Sequence, residues 1–101
     1  MVLLQIDFPY NGPFGKDMLE ASADLAKSIA KERGLISKIW TENKETKEAG
    51  GIYLFQDLSS LEAYLEMHTA RLQSFGIKDI RSKIFNINED LSKITKAPIF
   101  W

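Results

Sequence analysis

No cysteine occurs in the 101-residue chain, which excludes disulfides, thiolate metal sites, iron–sulfur clusters and cysteine nucleophiles. That absence suits a reducing compartment, and the cytoplasm is the expected location. Histidine is almost as scarce. His68 is the only one, so an intrachain two-histidine metal site is excluded as well. A formal net charge of −1 offers no field for recruiting polyanions. The N-terminus lacks a basic start and carries Asp7 inside its apolar stretch, so it reads as a strand rather than a signal peptide. No uncharged run approaches the ~20 residues of a membrane span. The apolar segment at Gly50 to Phe55 is soon stopped by Asp57, and a soluble protein is expected.

What is present describes one globular domain. Hydrophobic residues make up 45% and charged residues 27%, the balance of a folded chain rather than a disordered one. A chain of this length buries roughly two-thirds of its unfolded surface, enough for a single core. No repeat, linker or low-complexity stretch divides it. Residues 1–101 are therefore one domain, with a short C-terminal extension from about residue 88.

Val2, Leu4, Ile6 and Phe8 alternate with Leu3, Gln5 and Asp7, a period of two that ends at Pro9 and the turn-rich Asn11-Gly12-Pro13-Phe14-Gly15. From Lys16 to Arg33, Met18, Ser22, Leu25, Ala26 and Ile29 recur at helical spacing, and Gly34 follows as a stop. Leu35 to Glu42 and Gly51 to Phe55 read as a hairpin around the charged turn Asn43 to Glu48. Ser59 or Ser60 is positioned to cap a second helix, whose stripe is Leu61, Tyr64, Leu65, His68 and Leu72 before Gly76. A last strand runs from about Asp79 to Ile87. Asn88-Glu89-Asp90 then opens a short helix, leading to an apolar tail, Pro98-Ile99-Phe100-Trp101. The order βαββαβ predicts an α+β, ferredoxin-like domain with a four-stranded antiparallel sheet and both long helices on one face.

With Trp40 opposite Tyr53, the residues Lys38, Trp40 and Glu42 share a face with Gly51, Tyr53 and Phe55, while Ile39 and Leu54 are expected to face the helices. A monomer would then leave Trp40, Tyr53 and Phe55 open to water, and burial by a second copy, a homodimer, is the simplest remedy. The same aromatic face reads either as ligand cavity or as plain dimer core. Lys38 and Glu42 beside Trp40 favour a cavity, since charges are costly in a dry interface, although at the rim of the sheet they would be solvated.

His68 reads in two ways, as a hydrogen-bonded structural histidine on its helix stripe or as a general base. The loop Asn11 to Gly15 reads as a plain turn or as a set of amides receiving an oxygen at a helix N-terminus, with Asn11 able to orient a substrate. Its glycine spacing is not that of a phosphate loop. Ala49 to Phe55 loosely matches the third-strand aromatic motif of an RNA-binding module of the same topology. The first strand lacks the matching aromatic, and with the acidic balance this argues against a nucleic-acid partner.

The segments Asn11-Gly12-Pro13-Phe14-Gly15, Trp40-Thr41-Glu42, Glu48 through Phe55, Ala63-Tyr64-Leu65 and His68-Thr69-Ala70-Arg71-Leu72 resemble, in order, the signatures of the YdhR mono-oxygenase family of the dimeric α+β barrel class. The resemblance covers nearly the whole chain. It implies a homodimer with facing sheets and kinship with cofactor-independent oxygenases of polyketide quinones. It also implies Asn11, Trp40, Tyr53, His68 and Arg71 as site residues, with no cofactor and no metal. An electron-rich phenolate or enolate would reduce dioxygen directly in a dry pocket. His68 would be the base, and Asn11 and Trp40 would position oxygens. Tyr53 and Phe55 would stack on a flat aromatic substrate, Arg71 would favour its anion, and Glu42 would complete the substrate-binding set. The rival expectations are a non-catalytic ligand-binding or stress-related dimer, and a haem-binding relative that uses one helical histidine.

Overall fold

The computed structural model describes residues 1–99, so Phe100 and Trp101 of the apolar tail lie outside the described residues. The elements run β1 (Val2–Pro9), α1 (Gly15–Ala30), β2 (Leu35–Asn43), β3 (Glu48–Phe55), α2 (Leu58–Ser74), β4 (Arg81–Asn86) and α3 (Glu89–Ile94). The strands form one antiparallel sheet in the order β2-β3-β1-β4, the ferredoxin-like arrangement that the element order predicts. No helix among the described residues is long and apolar enough to cross a membrane.

The period-two pattern of β1 decides which side of the sheet is covered. Val2, Leu4, Ile6 and Phe8 are all buried, and they join Ile29 of α1 and Leu61, Tyr64 and Leu72 of α2 in one core. The intervening Leu3, Gln5 and Asp7 point to the other face, which carries no helix of the core. Because β3 pairs with β1 so that Tyr53 lies opposite Leu4 and Phe55 opposite Val2, both aromatics fall on the helix side, at 1% and 0% exposure.

This corrects the expected orientation. Lys38, Trp40 and Glu42 do share a face with Gly51, Tyr53 and Phe55, but that face is the one under the helices, and Ile39, Ile52 and Leu54 face away. The register also differs from the expected one by two residues, Lys38 standing opposite Tyr53 and Trp40 opposite Gly51. A shift of two preserves side-chain parity, so the grouping survived. The side differs from the expected one because β3 pairs with β1, whose Gln5 and Asp7 lie on the face away from the helices.

The helix boundaries follow local chemistry. α2 is capped by Asp57 rather than by Ser59 or Ser60: its Oδ1 accepts the Ser60 amide at 2.7 Å, and Ser60 itself is buried inside the first turn. α3 starts at Asn88, whose side chain accepts the Leu91 amide, as the Asn-Glu-Asp run predicts. α1 has no side-chain cap of its own. Phe14 is extended at its N-cap, and the Gly15 amide is instead taken by both oxygens of Glu42, at 3.1 and 3.2 Å, across from the edge strand. α1 ends at Ala30, three residues before the expected Arg33, and Gly34 lies in the following turn at φ 79°.

Candidate active site

α1 contributes one fully buried side chain, Ile29, and turns the small residues Ala21 and Ser22 toward the sheet. Small side chains hold the helix in place without filling the gap beneath it. The result is a cavity of about 370 Å³ between sheet and helices, walled by Phe8, Tyr10, Met18, Leu25, Lys38, Trp40, Tyr53, His68 and Leu72 among others. A neighbouring hollow of about 300 Å³ lies between α1 and β2, and Met18, Ser22 and Trp40 border both.

The polar groups of the cavity are tied into an aromatic stack. Tyr64 lies against Tyr53, Phe55 and His68 at centroid distances of 5.2, 5.4 and 5.0 Å, the last pair nearly parallel at 23°. Burial pushes the Tyr53 hydroxyl well above its usual range and the Tyr64 hydroxyl up to about 12, so both stay protonated at neutral pH.

His68 is 2% exposed, and burial followed by the nearby Arg71 and Lys38 lowers its pKa to about 3. Arg71, one turn along α2, brings Nε to 3.2 Å and Nη2 to 2.9 Å from His68 Nδ1. A guanidinium only donates, so Nδ1 accepts and the proton of the neutral imidazole sits on Nε2. His68 thus presents an N–H donor, while its one lone pair is already engaged.

Lys38 lies on the same wall. Its Nζ stands 3.3 Å from the Trp40 ring centroid and 4.7 Å from that of Tyr53. Burial, and then repulsion from Arg71, lowers its pKa to about 7.

The structure therefore brings Trp40, Tyr53 and His68 to one cavity, with Arg71 behind His68. Phe55 sits deeper, in the core against Tyr64. Glu42 borders the outer hollow with its carboxylate on the Gly15 amide, so the N-terminus of α1 does receive an anion, and the chain supplies it. Asn11 is exposed and borders a depression that shares Tyr10, Phe75 and Ile77 with the His68 cavity, but it is not part of that cavity's own wall. Sequence reasoning counts Lys38 as a sign of a cavity and Tyr64 as part of the α2 stripe, but gives neither a role in the site. The signal for both was present: Lys38 is two residues from Trp40 on the same face of β2, and Tyr64 is one helical turn before His68.

A stability profile follows from His68. The unfolded chain takes up a proton at the ordinary His pKa of 6.5, the folded protein only near 3. Unfolding is therefore favoured as pH falls from 6.5 toward 3, by up to about 1.4 kcal/mol per pH unit for one group. Denaturant titrations across this range should show a steeper acid loss for the wild type than for His68→Gln, which cannot titrate. Parallel slopes would contradict the buried neutral histidine.

Fold and cavity together define a ferredoxin-like α+β domain with an aromatic pocket between sheet and helices. The chain belongs to the family described as "Putative mono-oxygenase ydhR", which it matches over residues 3–98. In structure it is similar to a putative antibiotic biosynthesis monooxygenase from Deinococcus radiodurans, with a TM-score of 0.64 and 11% identity over 87% of this chain and 93% of that one. It is also similar to a variant of SnoaB, a cofactor-independent oxygenase from Streptomyces nogalater, with a TM-score of 0.62 and 14% identity over 86% and 92% of the two chains. At these identities the likeness concerns the fold. No curated protein matches the chain.

Proposed function

We propose that this protein is a cofactor-independent monooxygenase acting on a small aromatic or quinol-like compound bound in the helix–sheet cavity, and that it works as a homodimer. The observation that carries the proposal is the cavity itself, a partly open aromatic cleft with a neutral imidazole donor and an amine in its wall. Membership of the mono-oxygenase family and likeness to an oxygenase fold agree with it. The substrate supplies all four electrons: a ring CH₂ flanked by electron-rich carbons loses two hydrogens to dioxygen, one oxygen atom entering as a carbonyl and the other leaving as water. Tyr53 and Trp40 stack on a flat ring, the His68 Nε2–H donates to developing negative charge, and Arg71 fixes the imidazole tautomer.

The dimer is supported by the sheet face away from the helices. Leu3, Ile39, Ile52, Leu54 and Phe85 project there, and Ile39 and Phe85 are 59% and 47% exposed. The haem reading loses its support, since Arg71 holds the Nδ1 lone pair and leaves Nε2 protonated, whereas an iron ligand presents a bare nitrogen.

Oxygen uptake with a panel of hydroxyanthrones and quinols, after chelation and without flavin, tests the activity. It should saturate with substrate and exceed a matched uncatalysed background by at least about 100-fold, the low end for acid–base catalysis. Tight binding with no excess uptake would leave a non-catalytic ligand-binding dimer instead.

A further inference from the structure

We propose that Lys38 is the group that takes the proton from an acidic hydroxyl of the bound aromatic compound and then holds the resulting oxyanion. The proposal rests on the cavity's being an aromatic-ligand site.

A lysine on an edge strand normally runs its stem along the surface and leaves its ammonium in water. Lys38 turns inward instead, because the pleat of β2 sets it opposite Tyr53 on the helix side and a glycine opens the way. A Cβ at position 51 would stand 2.7 Å from Lys38 Cε and 3.0 Å from the Tyr53 ring, so Gly51 leaves the space that the lysine stem occupies. The stem delivers Nζ between the rings of Trp40 and Tyr53.

Charge around it is one-sided. From α2 the amine faces the Arg71 guanidinium and the neutral His68, with Tyr64 behind; from β3 it lies over the Tyr53 ring, and Tyr10 of the β1–α1 loop shares the cavity wall. No Asp or Glu belongs to the cavity wall, and Lys38 makes no salt bridge among the described residues. Glu42, further along the same strand, is engaged by Gly15. No carboxylate in the wall balances the ammonium form of Lys38 or the Arg71 guanidinium behind His68, and the anion of an acidic ligand hydroxyl does so.

The proton step balances. The O–H bond breaks, its electron pair stays on oxygen, and the proton forms a new N–H bond at the Nζ lone pair, giving an ammonium–oxyanion pair from two neutral groups. A pKa near 7 leaves a large fraction of the amine unprotonated at neutrality, and His68 does not compete, because its lone pair is committed to Arg71.

The test uses para-nitrophenol, whose phenolate is yellow and whose neutral form is not. At a mildly acidic pH, with wild-type protein in excess, the bound reporter should be ionised at least about tenfold more than in free solution, one pKa unit. Lys38→Met should still bind the neutral reporter, read from quenching of tryptophan fluorescence, but lose the tighter binding of its anion and leave it colourless. Lys38→Gln serves as the second variant. Equal colour in the variants, or a colourless bound reporter in the wild type, overturns the role of Lys38 while the cavity stands. No binding to the wild type overturns the aromatic-ligand reading and this proposal with it. In an arm free of ligand, lysines are reductively methylated with carbon-13 and titrated by NMR. The signal missing from Lys38→Met should have its midpoint near 7, and a midpoint shared with the surface lysines overturns the proposal directly.

Discussion

Gly50→Ala is expected to cost about 3 kcal/mol or more and to lower the denaturant midpoint without changing which elements form. Gly50 lies on central strand β3, paired with Asp7 of β1. A Cβ there would sit 1.9 Å from the Ile6 carbonyl oxygen and 2.8 Å from the Asp7 Cα, both of them backbone. No rotamer change relieves a clash with backbone, so the two central strands must part. Overpacking in well-packed interiors typically costs about 1–3 kcal/mol, and a backbone collision in the middle of the sheet belongs at or above the top of that range. Against a total stability of about 5–15 kcal/mol, that is a large share. The residue after it provides a contrast. Gly51→Ala meets the flexible Lys38 stem and the Tyr53 ring, so it should destabilise less while moving the amine. Equal losses at the two positions, read from urea titrations, would contradict this account of the sheet.

Ile52→Asp should convert a dimer of about 23 kDa, twice the 11.5 kDa protomer, into a folded monomer. Ile52 stands on β3 opposite Ile39 and Gln5, in the middle of the face that no core helix covers. A carboxylate buried there without a partner costs several kcal/mol, and a two-fold interface includes it twice. Taking about 2 kcal/mol per copy, the dissociation constant should rise at least about 10³-fold. Phe85→Asp, on the edge strand β4, should weaken association less. Sedimentation of both variants, with circular dichroism to confirm the fold, decides the matter. A wild type that sediments as a monomer at micromolar concentration would sink the dimer. So would an Ile52→Asp protein that stays dimeric.

Much of this was legible in the chain. The element order came from hydrophobic periods and Gly/Pro punctuation, and the alternation of Val2, Leu4, Ile6 and Phe8 alone fixed the buried side of β1. The grouping of Lys38, Trp40, Tyr53 and Phe55 on one face was legible too, because parity within a hairpin is insensitive to a register shift of two. Which side that face lay on was not, since it depends on pairing between β1 and β3, two strands separated in sequence by the whole of α1 and β2. The site was legible in part. Trp40, Tyr53 and His68 converge as expected, but the state of His68 depends on an Arg71 contact that a helical turn permits and only packing completes. Lys38 was legible as a sign of a cavity but not as a site residue, because a lysine on an edge strand is solvated by default and nothing in the composition reveals that Gly51 makes room for its stem.

The central claim, a monooxygenase that works from this cavity without a cofactor, is tested most directly with isotopically labelled dioxygen. Chelated, flavin-free protein turning over a hydroxyanthrone should place one labelled oxygen atom in each product molecule and the other in water. Ser22→Phe, which fills the space where Met18, Ser22 and Trp40 border both hollows, should abolish that incorporation with the fold intact. Product without label, label recovered as peroxide, or incorporation undiminished in the filled variant would contradict the account.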